Sequence, residues 1–270
     1  WPDRFGVDIK TTEFMTNIFR RLVAVCLQHG AAPIGGMATA LPSREDEVNE
    51  AAGQSIRQDK EWEAQQGFLR GWVAHIFHMK TAADPFKEVA ASGWKPTDEM
   101  RIPENYPVEI TPPEGPITVE GSRRNARMLI EYAEGWLMGR GAKGIDSLEG
   151  QPGIHPALME DLATGRISVA QTAQRILHGA KDANTGQVHD FALIKQLLQE
   201  ELADIISRRN EAAPSDEASQ AELKAQVARY ESAYKIAMRW TKNYTELNFR
   251  SLGSYTPADM ERIASEPDAF

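Results

Sequence analysis

Apolar side chains near the start of the chain recur at the spacing of one helix face. Each follows the previous one at an interval of four residues: Phe14, Ile18, Leu22 and Cys26. Residues at this interval share one side of an α-helix. Thr11 or Thr12 can cap the first turn, and Gly30 can end the last one. The pattern therefore predicts a helix between these residues.

Two short apolar runs come next. The first, at 31–42, reads A-A-P-I-G-G-M-A-T-A-L-P, and the second, at 71–79, reads G-W-V-A-H-I-F-H-M. Apolar runs of this length are typical of parallel strands, which are buried on both faces. The polar segment 44–66 and the segment from 80 to about 91 predict helices. Alternating helices and strands predict an α/β arrangement, and two strands alone leave open edges, so we expect the end of a barrel or partner strands from elsewhere.

The pattern changes after Ser92. The stretch from 93 to 120 contains six prolines, which prevent a continued helix or a central strand, so it predicts a linker. Beyond it the apolar positions recur only at helical spacing, which predicts four or five packed helices. These helices are expected at 122–137, 168–177, 191–208 and 215–252, the second of them started by a Ser168–Gln171 capping box. We therefore expect three regions, 1–92, 93–120 and an all-α region at 121–270, in a mostly helical chain.

Composition excludes several classes of protein. The formal net charge is -9, and no basic stripe for nucleic-acid phosphates is visible. No apolar run approaches the length of a membrane span, and the start is not signal-like. A single cysteine, Cys26, excludes an internal disulfide framework and any multi-cysteine metal site. The hydrophobic content of 41% is sufficient for a real core.

Two adjacent carboxylates, Glu160 and Asp161, are the first candidates for chemistry. They lie between an apolar triplet and a predicted helix start. A carboxylate held at such a junction can act as a catalytic base. Acidic residues before a helix are also favoured simply by the helix dipole. Their spacing alone leaves both interpretations open.

Other candidates lie at the predicted strand ends. Gly35 and Gly36 lack the spacing of a nucleotide-binding loop, so they predict a close approach to the backbone. Segments 37–42 and 75–79 fall where barrel loops carry chemistry, although packing explains them equally well. Trp72 can line a pocket or belong to the core. A pair of histidines, His75 and His78, has no nearby carboxylate pair, which argues against zinc.

Four sets of motifs, in the same order and at similar spacing, resemble the malate synthase family. G-A-A-P-I-G-G-M-A at 30–38 resembles the family strand G-A-x-x-I/M-G-G-M. D-K-E at 59–61, followed by G-W-V-A-H at 71–75, resembles D-K-x-x-E and G-x-W-V-A-H-P. G-S-R-R-N at 121–125 is similar to G-L-R-x-N, and L-M-E-D-L-A-T at 158–164 matches L-M-E-D-x-A-T. Taken together, these motifs are far more specific than any one of them.

The resemblance implies a TIM-type barrel, of which this chain holds the last strands, followed by a C-terminal helical domain. It implies condensation of acetyl-CoA with glyoxylate to malate and CoA, with Mg²⁺. Asp161 would be the base, and Gly36, Met37, Trp72 and Met159 would contact substrate. The family's Mg²⁺ ligands and catalytic arginine belong to earlier strands without a match in this chain. We therefore expect a missing or separate N-terminal barrel portion, without which the chain does not turn over.

Two alternatives stay open. The chain could be a catalytically silent module that binds a partner or CoA. Ala142 and Ile76 replace a cysteine and a proline of the family, so an enzyme that uses another 2-oxo acid is the second alternative. The expected compartment is cytoplasmic or peroxisomal (glyoxysomal), although segment 267–270 is not an S-K-L type signal.

Overall fold

The computed structural model describes residues 1–4, 12–145 and 157–270. This part of the chain is mostly helical, as predicted, with eight α-helices and four short strands. In order they are α1 (Glu13–Gln28), β1 (Ile34–Ala38), α2 (Asp46–Gln65), β2 (Arg70–Val73), α3 (Met79–Ala91), α4 (Val119–Leu137), β3 (Ala142–Ile145), β4 (Leu158–Asp161), α5 (Leu162–Leu177), α6 (Phe191–Ala212), α7 (Glu217–Thr245) and α8 (Pro257–Ser265). Among these described helices, none has the length and apolar composition needed to cross a membrane.

The chain forms two compact units. The sheet unit comprises Val7–Pro113 and Glu149–Met159, and the helical unit comprises Trp1–Gly6, Glu114–Leu148 and Glu160–Phe270. The three regions expected from the sequence, with boundaries at 92 and 120, stay a prediction.

The sheet unit is built around the parallel pair β1 and β2, which confirms the parallel arrangement expected from the apolar runs. Met37 pairs with Trp72, and Ala38 pairs with Val73. Ala38 and Val73 pack with small and branched side chains of α2 and α3, which cover this face of the strands: Ala52, Ile56 and Ala82. On the other face, Met37 and Trp72 are exposed.

The second apolar run is a strand only in its first part. β2 ends at Val73, a short 3-10 turn spans Ile76–His78, and α3 begins at Met79. His75 Nδ1 accepts a hydrogen bond from the Phe77 backbone N–H at 3.2 Å, which caps this turn. The expectation of a strand over the whole of 71–79 is therefore wrong, because a capped turn interrupts the run.

The helical unit is centred on α4, which packs against α5, α6 and α7, while α8 packs on α7. The five helices α4–α8 agree with the predicted number. Their core includes large, fully buried side chains: Tyr132, Tyr230, Trp240, Met128 and Leu129. Within 121–270, the region expected to be all-α, the short strands β3 and β4 form a second sheet. The expectation of an all-α region is therefore wrong in this detail, because four-residue strands leave almost no apolar pattern.

The largest differences from the predicted helices are the start of α5, the end of α7 and one additional helix, α8. α5 begins at Leu162, and Ser168 is buried in its interior, because the capping box that starts the helix is Asp161 with Thr164. α7 ends at Thr245, and Leu247 takes a positive φ of 57°, which ends the helix well before residue 252. α8 was not predicted, although Thr256, Pro257 and Asp259 carry the pattern of a helix start.

Candidate active site

Asp161 ends β4 and caps α5. Its backbone is extended, with φ −125° and ψ −171°, as an N-cap requires. Oδ1 accepts hydrogen bonds from the backbone N–H of Ala163 at 2.9 Å and of Thr164 at 3.2 Å. Thr164 Oγ1 in turn accepts a hydrogen bond from the Asp161 N–H at 2.9 Å. This reciprocal capping gives the half-buried carboxylate one orientation.

The two oxygens of this carboxylate differ in their surroundings. Oδ1 is bound by the first turn of α5. Oδ2 accepts no hydrogen bond from the residues that the structure describes. The helix start therefore fixes the direction of Asp161 while one oxygen remains able to accept a proton.

Glu160 has a different environment from its neighbour. Its side chain is buried, and Arg4 Nη2 lies 3.6 Å from Oε1. Successive side chains of a strand point to opposite faces, which separates the two carboxylates. The other carboxylate oxygen of Glu160, Oε2, is buried and accepts no hydrogen bond from the described residues.

Tyr132 of α4 lies near Asp161 and was not identified from the sequence. Burial first, and then the negative charge of Asp161, raises the pKa of Tyr132 to about 12. The phenol donates a hydrogen bond to the backbone oxygen of Gly141 at 3.0 Å. At Gly165, an added Cβ would lie 3.2 Å from Tyr132 Cδ1 and 3.3 Å from Trp240 Cη2. A glycine inside a helix is the sequence signal for this close packing, which holds the first turn of α5 in place.

Three of the four candidates in the sheet unit lie on its two parallel strands. Gly36 and Met37 belong to β1, and Trp72 belongs to β2. Met37 and Trp72 are partners in the strand pairing, so their side chains share one face, where they are 40% and 59% exposed. The structure thus places two of the predicted substrate contacts side by side.

Met159 is half-buried in β4. Its backbone N–H donates a hydrogen bond to the Thr39 oxygen at 2.8 Å, and Leu158 forms an antiparallel bridge with Ala40. Within the sheet unit, this segment therefore lies against the end of β1. A cavity of about 360 Å³ at this place is lined by residues 37–40, by Leu158 and by Asp59 of α2.

The histidines of the second apolar run lie beyond β2. His75 caps the turn described above, and His78 is buried. Burial, followed by the charge of His75, lowers the pKa of His78. Within residues 1–4, 12–145 and 157–270, no group of three or more His, Cys, Asp or Glu side chains is arranged to hold a metal ion.

Comparison with known proteins identifies the family. The family model for the malate synthase TIM barrel domain matches residues 1–111, and the model for the malate synthase C-terminal region matches residues 116–246. Malate synthase A of Escherichia coli strain K12 is 32% identical over 214 residues, which are 78% of this chain and 38% of that protein. Malate synthase of Streptomyces clavuligerus is 36% identical over 208 residues, 74% of this chain and 36% of the relative. The glyoxysomal malate synthase of Gossypium hirsutum is 30% identical over 262 residues, 94% of this chain and 42% of the relative.

The two models together match most of this chain, which belongs to the malate synthase family. The chain spans less than half the length of these curated relatives. Asp161, within the motif L-M-E-D-L-A-T, lies in the part that matches the C-terminal model.

Proposed function

We propose that this chain supplies the catalytic base for the condensation of acetyl-CoA with glyoxylate to malate and CoA. The observation that carries the proposal is the carboxylate of Asp161, whose Oδ1 is held by the start of α5. A general base must be positioned within hydrogen-bond reach of the proton that it removes. The names of the relatives support the choice of reaction.

In the proposed mechanism, Asp161 Oδ2 takes a proton from the methyl group of the thioester. The electron pair of that C–H bond forms the enolate, whose carbon then attacks the aldehyde carbon of glyoxylate. The π electron pair of the aldehyde moves to its oxygen, which takes a proton from solvent and becomes the hydroxyl group of the product. The resulting malyl thioester is hydrolysed by water, which gives malate and CoA. Gly36, Met37, Trp72 and Met159 are assigned to the substrate pocket. An enzyme that uses another 2-oxo acid would differ only in the compound whose carbonyl carbon the enolate attacks.

The family resemblance implies Mg²⁺, which supplies positive charge for developing negative charge on oxygen. The described residues do not contain a suitable set of metal-binding side chains. We assign the metal ligands and the catalytic arginine to a preceding barrel portion.

We also propose that the sheet unit is the end of a TIM-type barrel. A parallel pair of strands with helices on one face and exposed Met37 and Trp72 on the other supports it. We assign 1–92 to the barrel, 93–120 to a linker and 121–270 to the helical domain. The glyoxysomal relatives of Gossypium hirsutum and Candida tropicalis support a peroxisomal location, with the cytoplasm as the alternative.

The test is the substitution Asp161→Asn in the full-length protein. Asparagine caps helices as well as aspartate does, so the fold is retained while the base is lost. We expect CoA release from acetyl-CoA, glyoxylate and Mg²⁺ to fall by about 10²- to 10⁴-fold. Asp190→Asn is the matched control, because Asp190 caps α6 through a 2.8 Å bond from the Leu193 N–H.

Retained condensation in Asp161→Asn would exclude the base assignment. CoA release by the 270-residue chain alone would overturn the assignment of essential residues to a preceding portion.

A second candidate function is a silent module that binds a partner or CoA without catalysis. The complete capping box favours it, because helix capping alone accounts for an aspartate at this position. In that case the full-length protein with Asp161 intact binds CoA in a calorimetric titration but releases none from acetyl-CoA and glyoxylate.

A further inference from the structure

The close approach to the backbone that Gly35 and Gly36 predict is made by a buried ion pair. Lys60 and Glu63 lie one helical turn apart on α2 and are only 1% and 2% exposed. Lys60 Nζ donates to Glu63 Oε1 at 3.0 Å and to Oε2 at 2.9 Å. Isolated charges are costly to bury, so each member of this pair depends on the other.

The same pair binds both backbone polar groups of Gly36. Lys60 Nζ donates to the Gly36 oxygen at 2.5 Å, and the Gly36 N–H donates to Glu63 Oε1 at 3.1 Å. These bonds form a closed ring that joins α2 to the middle of β1.

The ring lies where the pairing of the two strands is irregular. Ile34 pairs with Arg70 and Met37 pairs with Trp72, so β1 has one more residue than β2 between these pairs. Such a bulge locally disrupts the hydrogen-bond ladder. The backbone of Gly36 is therefore held here by α2.

A side chain at Gly35 would collide with the ion pair, and one at Gly71 would crowd it. A Cβ at Gly35 would lie 2.2 Å from Glu63 Oε2, closer than any real contact. A Cβ at Gly71 would lie 3.1 Å from Lys60 Nζ. The glycines thus give the ion pair access to the strands.

We propose that Lys60 and Glu63 are positioning residues that orient Met37 beside Trp72 by holding the Gly36 peptide. This inference rests on the proposed function, in which Gly36, Met37 and Trp72 contact substrate. Apolar residues of similar volume stabilise a fold as well as a buried ion pair does. Apolar residues cannot bind the N–H and the oxygen of Gly36, and the ion pair can.

The experiment uses the full-length protein with Lys60→Met and with the double change Lys60→Met/Glu63→Met. We expect the KM for acetyl-CoA or glyoxylate to rise about 10- to 100-fold in both variants, because misplaced binding groups lose productive geometry. The double variant removes both charges, so its resistance to urea stays close to that of the unaltered protein. Simple loss of folded protein would lower kcat and leave KM unchanged. Glu61→Gln is the control, since Glu61 pairs with Arg57 on the exposed side of α2.

Hydrogen exchange at the Gly36 amide gives a readout that does not depend on activity. We expect faster exchange in both variants and no change in Glu61→Gln. An unaltered KM in the double variant, or unaltered exchange at Gly36, would overturn the proposal. If the unaltered protein releases no CoA, the proposed function fails instead. In that case, Gly36 exchange in both variants that is as slow as in the unaltered protein would show that the pair does not hold this peptide.

Discussion

The helical unit and the sheet unit differ in how far they bury a tryptophan side chain. Trp240 of α7 is fully buried, and its Nε1 donates to the Arg250 oxygen at 3.0 Å. Trp72 of β2 is 59% exposed. The helical unit covers the apolar face of α4 with its own helices, whereas the sheet unit covers one face of two strands. Parallel strands need cover on both faces, so a pair of them leaves apolar side chains exposed.

Lysines paired with buried carboxylates show the same contrast. In the helical unit, Lys143 Nζ lies 2.6 Å from Glu131 Oε2 and 2.8 Å from Glu134 Oε2, and thereby joins β3 to α4 through side chains. In the sheet unit, Lys60 reaches the backbone of a strand. The first arrangement stabilises the packing of two elements, and the second sets the position of one peptide.

The largest expected effect is a loss of unfolding free energy, and it separates Trp240 from Trp72. In this chain, Trp240→Ala is expected to lower the free energy of unfolding by about 4–5 kcal/mol, because it opens a cavity in a closed core. Trp72→Ala is expected to change it by less than about 0.5 kcal/mol, because most of this ring is already in water. Urea unfolding followed by circular dichroism measures both. Equal losses would contradict the contrast between the units.

A somewhat smaller effect is expected for Lys143→Met. Burial acts to raise the pKa of Glu131, yet the charge and hydrogen bond of Lys143, followed by Tyr230 and Arg127, hold it below its usual value. Loss of Lys143 leaves two buried carboxylates, and we expect a cost of about 3 kcal/mol at neutral pH, at the lower end for a broken buried pair. Arg127 and Arg229 still lie near these carboxylates, which limits the cost.

The pH dependence of this variant has a definite sign. A carboxyl with a lowered folded-state pKa adds stability above its unfolded value, and this stability is lost as the pH falls through the folded value. In Lys143→Met, burial raises the pKa of Glu131, so protonation relieves the unpaired charge. The deficit relative to the unaltered chain should therefore shrink as the pH is lowered toward about 4. Urea unfolding at several pH values measures this, and a deficit that grows on acidification would exclude the explanation.

The smallest expected effect is a change in the pKa of Tyr132. Burial is the main cause of its raised pKa, and the charge of Asp161 is the second. Asp161→Asn should therefore lower the pKa of Tyr132 slightly, as measured by NMR titration of the ring carbons. Tyr234 is the control, since burial and Asp268 raise its pKa to about 12. An unchanged Tyr132 would show that the Asp161 charge does not reach this phenol.

Much of the fold follows from local patterns. The period of apolar residues predicted α1, and the short apolar run at 31–42 predicted β1. The acidic pair at 160–161 was expected at an element junction, and Asp161 does cap a helix. These features depend on residues close together in the chain, which is why the sequence reveals them.

Other features depend on competition between local signals. Ser168 and Asp161 both begin a capping pattern, and the earlier one starts α5 because Gly165 can pack against Tyr132 and Trp240. The apolar residue Ile76 is 73% exposed, so apolarity there did not mean a buried strand. Contacts with distant residues decided the start of α5, whereas the local cap that His75 provides ended the strand before Ile76.

The family, the parallel α/β pattern at the start and the carboxylate at a helix start could be predicted from the chain alone, because residue type and spacing encode each of them. Which group approaches the two glycines, and which oxygen of Asp161 the helix binds, became clear only from the three-dimensional arrangement. Lys60 and Glu63 are more than twenty residues from Gly36 along the chain, and their hydrogen bonds to it exist only when α2 packs on β1. A hydrogen bond depends on distance and angle in space, which residue spacing specifies only within one helix, strand or turn.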